Sequence, residues 1–209
     1  MLRYTCVPVG LLQSNCYVLR DDATGALALV DCGFFNRPVA EAIQEWGGGL
    51  RYLLLTHGHF DHIQGAAKLK EAYPDAKICI GALDAPYLVG GADSIPGGRI
   101  SRHNIVLEPD TLLRGGDVIQ LGESALRVID TPGHTPGGVC YFAEHERILF
   151  TGDTLFLEEV GRTDLPGGDW PTLQASLRRL AALEGDAVIL PGHGPASSLA
   201  HERAHNPYM

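Results

Sequence analysis

The stretch Thr56-His57-Gly58-His59-Phe60-Asp61-His62 places three imidazoles and one carboxylate within six consecutive positions. A hydrophobic core has no use for that density of polar groups, whereas imidazole and carboxylate together bind divalent transition metals. Side chains at i and i+2 of an extended segment share a side, so His57 and His59 can reach one cation together. Asp61 and His62 follow where the chain enters a helix and therefore aim at a second point. The pattern predicts two metals side by side rather than one tetrahedral site.

Three further segments each run from an apolar strand into a turn bearing one ligand-type residue: Val128 to His134, Ile148 to Asp153 and Val188 to His193. Gly and Pro in these turns allow the tight bend and clear space beside the reactive group. A lone His or Asp at a turn is more often a cap, but four such sites together describe convergent strand ends. The expected assignment gives His57, His59 and His134 to one metal, Asp61, His62 and His193 to the other, and Asp153 as the bridge. An open position for water between the metals would make the site catalytic rather than structural. His103, His145, His201 and His205 lack this context and are read as surface or supporting residues.

The elements that must position these groups can be read from patterning. Strands are predicted at 2–9, 15–20, 26–31, 51–55 and 76–80, with a helix from Pro38 to Trp46 stopped by Gly47-Gly48-Gly49. Residues 63–73 have helical spacing of Ile63, Ala66, Ala67 and Leu69, so the ligand motif sits on a strand-to-helix loop. Residues 81–114 read as irregular, and a loop of that length suggests a flap over the site. Strands at 117–121, 125–131, 138–143 and 147–151, a helix from Trp170 to Leu183 and a strand at 187–190 complete the chain. Strand clusters with helices in each half predict an α+β fold of two packed sheets with helices outside. No linker or composition shift interrupts residues 1–209, so one domain is expected.

The chain has 209 residues, is 45% hydrophobic and carries a formal charge of −9. It can bury a sizeable core. The acidic balance argues against a nucleic-acid partner, and no segment is long and apolar enough to span a membrane. The start lacks a signal-peptide pattern. Cys6, Cys16, Cys32, Cys79 and Cys140 form no C-x-x-C pair. They are read as buried free thiols of a reducing cytoplasm, not as metal ligands.

With these motifs in view, Thr56 to His62, Pro132-Gly133-His134-Thr135, Gly152-Asp153-Thr154 and Pro191-Gly192-His193-Gly194 resemble the metallo-β-lactamase-fold hydrolases over nearly the whole chain. The resemblance implies an αββα sandwich with a dinuclear site at one edge. Gly161-Arg162-Thr163-Asp164, Gly168-Asp169 and the ending around Glu202-Arg203 and Asn206-Pro207-Tyr208 look like the short bacterial type of glyoxalase II, hydroxyacylglutathione hydrolase. In true β-lactamases of this fold the position of His62 is usually not histidine. The C-terminal helical domain with which larger glyoxalase II enzymes grip glutathione has no counterpart after His193.

The implied activity is metal-dependent hydrolysis of S-lactoylglutathione or a related small-molecule acyl-thiol by a metal-bound hydroxide, with Asp61 also orienting the attacking group. Arg162 is the candidate for binding a substrate carboxylate, because guanidinium pairs with carboxylate bidentately; a salt bridge to Asp164 is the alternative. The two divalent ions are expected to be zinc, with iron or manganese as alternatives that such ligands also accept. Two other functions compete: a mononuclear-iron persulfide dioxygenase of the same fold, and a non-catalytic metal-binding module.

Overall fold

The computed structural model describes residues 1–89 and 107–209. Its first sheet contains β1 (Leu2–Val9), β2 (Ser14–Asp21), β3 (Leu27–Val30), β4 (Leu50–Leu54), β5 (Lys77–Gly81) and β6 (Thr111–Leu113), in that spatial order. Strands β1 to β3 are antiparallel neighbours, and β3 to β6 are parallel. The parallel crossovers need intervening chain. It is supplied by α1 (Arg37–Glu45), by α2 (Phe60–Ile63) with α3 (Ala66–Ala72), and by a segment that includes α4 (Ala85–Leu88).

The second sheet contains β7 (Val118–Leu121), β8 (Ser124–Asp130), β9 (Val139–Ala143) and β10 (Ile148–Gly152). The small hairpin of β11 (Leu155–Phe156) and β12 (Glu159–Val160) and then α5 (Trp170–Ala181) lead to β13 (Val188–Pro191), which lies parallel to β10. The edge strand β14 (Ser197–Ser198) and α6 (Leu199–His205) close the chain. The resulting spatial order is β14-β13-β10-β9-β8-β7.

Alternation along each strand builds a layered core. Tyr17, Leu19, Ala28 and Val30 face Leu126, Val128, Tyr141 and Phe150 between the sheets. Their neighbours Cys16, Val18, Leu27 and Leu29 turn the other way, onto Val39 and Ile43 of α1 and Leu69 of α3. On the far side, Ile129, Cys140, Phe142 and Ile189 meet Leu173, Leu177 and Leu180 of α5. Each such buried aliphatic side chain contributes about 1.5–3 kcal/mol. The order helix, sheet, sheet, helix is the expected αββα sandwich.

Local signals set the helix ends. Asn36 caps α1 by accepting from the Val39 N–H at 3.2 Å, with Pro38 in the first turn. Asp169 does the same for α5 through the Thr172 N–H at 2.9 Å. Such caps contribute about 1 kcal/mol each.

Three expectations need correction. The helix expected over 63–73 begins at Phe60 and breaks at Gln64-Gly65. There the Gly65 N–H turns to the Cys32 carbonyl at 2.7 Å, and a side chain at Gly65 would strike Cys32 and the Phe35 backbone. The span 81–114 is not wholly irregular, since it contains α4 and β6; the proposed flap falls largely on 90–106, outside the described residues. Cys6 is exposed, because alternate residues of the edge strand β1 face solvent, while the other four thiols are free and buried. The short elements β11, β12, β14 and α6 carried too little periodicity to be expected. Among the described residues, no helix is long and apolar enough to cross a membrane.

Candidate metal centre

The candidate ligands gather where strands of both sheets end. After β4, Thr56 donates its N–H and its hydroxyl to the two oxygens of Asp31, each at 2.8 Å. Asp31 closes β3 and holds a left-handed backbone, φ 57°. That conformation costs a non-glycine residue about 1–2 kcal/mol, least for Asp or Asn. His59 is still extended, at φ −68° and ψ 145°, and α2 starts at Phe60. The chain therefore changes direction between His59 and Asp61, as the spacing predicted.

All seven predicted ligand residues come together. His57 Nε2 lies 3.1 Å from His59 Nδ1, and His57, His59 and His134 have ligand atoms close enough to share one cation. Asp61, His62 and His193 form a second such group. Within it, His62 Nε2 is 3.2 Å from His193 Nε2, which is 3.2 Å from Asp61 Oδ2. Asp153 stands between the groups, with Oδ2 3.5 Å from His134 Nε2 and 3.6 Å from His193 Nε2, and Oδ1 3.4 Å from His62 Nε2.

Hydrogen bonds on the outer side of four of the rings fix which nitrogen faces inward. His62 Nδ1 donates to Asp31 Oδ2 at 2.8 Å. His134 Nδ1 donates to the Arg162 carbonyl at 2.7 Å, and His193 Nδ1 to the Leu12 carbonyl at 3.1 Å. Thr56 has committed its proton to Asp31, so its oxygen accepts from His57 Nδ1 at 3.0 Å. The Nε2 atoms of His57, His62, His134 and His193 thus point at a common space, and His59 Nδ1 lies 3.1 Å from the first of them. Partners of this kind orient metal-binding imidazoles and raise their basicity.

The electrostatics follow the same division. Burial holds the His57 imidazole well below its ordinary pKa, and repulsion by His62, His59 and His134 adds to it. Burial and then His134 bring His59 down to about 4. Burial alone would lower His62, but the charges of Asp153 and Asp31 and the Asp31 hydrogen bond push it up to about 10. Burial would likewise raise Asp61, yet the His193 hydrogen bond and nearby His62 bring it to about 2. Burial also works against a charged His193, but its bond to Asp61 and the charge of Asp153 carry it above the ordinary range.

Divalent metal fits these residues. His134 Nε2 and Asp153 Oδ1 are buried and have no hydrogen-bond partner among the described residues. A buried polar atom left unpaired is costly, and both orphans aim into the space the ligand groups share. The donors are nitrogen and oxygen, suited to zinc, iron or manganese. A cavity of about 10 Å³ behind His57, His134 and Asp153 has room for one water.

Arg162 does not bring its guanidinium into this cluster. The guanidinium is exposed and pairs with both oxygens of Asp164 at 2.6 Å, while its backbone carbonyl holds His134. His145 is exposed, and His201 pairs with Glu158 at 2.8 Å. His103 lies outside the described residues. Sequence reasoning missed Asp31, Thr56 and Asp84 as supports. For Asp31 the signal was present: it is one more carboxylate at the end of an apolar strand.

The Metallo-beta-lactamase superfamily profile matches residues 9–193, and the chain belongs to that superfamily. Among its relatives, hydroxyacylglutathione hydrolase GloC of Haemophilus influenzae is 34% identical over 208 residues, covering 97% of this chain and 96% of the relative. The crystal structure of TTHA1623 in a di-iron-bound form superposes with a TM-score of 0.86 at 34% identity, over 98% of this chain and 100% of the other. The BLEG-1 B3 metallo-beta-lactamase gives 0.84 at 32% identity, over 99% of both chains.

Proposed function

We propose that this chain is a metal-dependent thioester hydrolase of the glyoxalase II type, acting on S-lactoylglutathione or a related small acyl-thiol. The observation that carries the reading is the second ligand group. His62 is fully buried, locked by Asp31, and completes with Asp61 and His193 a site beside the His57–His59–His134 group. A one-iron dioxygenase needs only one such group. The GloC relative supports the choice of a thioester.

In this reading seven residues hold two divalent cations, zinc in the first instance, with iron and manganese as alternatives. Bound there, such cations would acidify a water towards neutral pH and polarise a carbonyl oxygen. The protein supplies the rest. Asp153 lies within 3.6 Å of imidazoles from both groups and keeps the two positions in register. Asp61, ionised down to about pH 2, accepts a hydrogen bond from the attacking water and turns its lone pair towards the acyl carbon. Cleavage expels a thiolate. A thiol of pKa about 8.5 leaves without a general acid, and none is needed at the sulfur. Arg162 binds a carboxylate of the substrate by exchanging Asp164 for it. A cytoplasmic location belongs to the same reading, supported by the free thiols.

The test is a substrate panel on protein of known metal content. Thiol release from S-lactoylglutathione should exceed turnover of esters and β-lactams, and Arg162→Ala should raise KM for thioesters that bear a carboxylate. Oxygen uptake with glutathione persulfide as the fastest reaction would transfer the protein to the dioxygenases. Turnover of none of these would leave a metal-binding module.

A further inference from the structure

We infer that Asp84 is the positioning residue for the His57–His59–His134 group, one buried carboxylate that sets the spacing of the two loops supplying its three imidazoles. The inference rests on the metal-centre reading above. Asp84 is wholly buried and stands at the start of α4, outside all of the ligand motifs. Its Oδ2 accepts the Gly58 N–H at 2.8 Å, and its Oδ1 accepts the Gly137 N–H at 2.6 Å. Gly58 lies between His57 and His59, and Gly137 follows His134 in the next loop. A carboxylate accepting two amides makes strong, directional bonds.

The surroundings leave these loops little slack. A Cβ at Gly137 would lie 2.3 Å from the Asp84 nitrogen and 2.7 Å from Oδ1. A Cβ at Gly58 would lie 2.3 Å from the ring of Tyr87, one turn along α4. Asp84 is itself pinned, donating its N–H to the Gly81 carbonyl at 2.9 Å and accepting from Tyr87 N–H at 3.1 Å. Two further bonds join these regions among the described residues, Val139 N–H to the Thr56 carbonyl at 2.8 Å and Tyr141 Oη to the Leu55 carbonyl at 2.6 Å. Both lie before His57 and beyond Gly137, so they fix the strands, and Asp84 is the carboxylate that bonds within the two turns themselves.

The second group is supported elsewhere. Ser14 Oγ holds the Asp61 carbonyl at 2.6 Å, Asp31 holds His62, and the Leu12 carbonyl holds His193. None of these contacts passes through Asp84. Loss of the Asp84 carboxylate should therefore weaken one cation position and spare the other.

The experiment is zinc titration of the metal-stripped full chain, wild type against Asp84→Asn. The amide keeps the shape but turns one acceptor into a donor facing a backbone N–H. The wild type should take up a pair of zinc ions. In Asp84→Asn one equivalent should weaken by roughly 10–100-fold, the loss usual for supports behind metal ligands. The other should keep its affinity and be the equivalent that His193→Ala abolishes. Equal weakening of both, or wild-type affinity at both, overturns the inference while leaving the hydrolase reading standing. A wild-type chain that takes up no zinc, iron or manganese overturns both. Should Asp84→Asn fail to fold, hydrogen exchange in the wild type decides. Slow exchange at both the Gly58 and Gly137 amides supports the clamp, and exchange at exposed-loop rates at either overturns it.

Discussion

At the scale of single residues, the centre is a set of directed lone pairs. The Asp153 carboxylate stands between the ligand groups, near His134 on one side and His62 and His193 on the other. Asp153→Ala should lose bound metal and turnover together, with kcat/KM falling at least about a hundredfold, since several kcal/mol of charge stabilisation depart with the cations. Metal analysis run beside the kinetics checks this; full metal with lost turnover would give Asp153 a purely chemical role. The ligand types were legible because histidine and aspartate at turns after apolar strands have few other uses in such number. Asp84 was not legible. A carboxylate before Ala85-Pro86 looks like any surface turn residue, and only the folded chain brings Gly58 and Gly137 to it.

At the scale of elements, the strands were read well because their burial alternates or saturates. Short pieces such as β14 and α6 are held by partners rather than by propensity. Glu202 of α6, fully buried, is bonded to Ser197, to the Glu158 N–H and to Asn206. The break between α2 and α3 follows from Gly65 meeting Cys32, a contact distant in sequence. Asp21 makes a similar long-range tie at the end of β2. It is buried and accepts from Thr24 in its own turn and from Ser124 and the Glu123 N–H of the other sheet. Burial would raise its pKa, but these bonds win and hold it far below the ordinary carboxylate range. A depressed carboxylate stabilises the fold above its unfolded pKa, about 3.9, and ceases to do so as pH falls through the lower folded value. Asp21→Asn should therefore cost about 2 kcal/mol at pH 7, measured by urea unfolding. The gap from wild type should shrink as pH drops below about 4. A gap constant down to pH 2 would rule out the charged form as its source.

At the scale of the molecule, the ligand centre joins the sheets. His57, His59, Asp61 and His62 follow the first sheet's strand β4, whereas His134, Asp153 and His193 follow strands of the second. Buried bonds from Tyr141 Oη to the Leu55 carbonyl and from Tyr17 Oη to the Pro191 carbonyl, 2.6 and 2.7 Å, tie the same edge. Cations held across it would favour the folded chain by about 2.7 kcal/mol at a hundredfold excess over Kd. For a chain of this size a chelator should then lower Tm by about 5–10 °C; calorimetry with and without chelator tests this, and an unchanged Tm would mean that the sheets are already locked without metal. His134 and His193 are held by main-chain oxygens of Arg162 and Leu12, not by those residues' side chains. Both side chains are exposed. New residues at these two places would change the exposed surface and leave the imidazoles' anchors in place, so this scaffold can vary its surface there without disturbing how its rings are held.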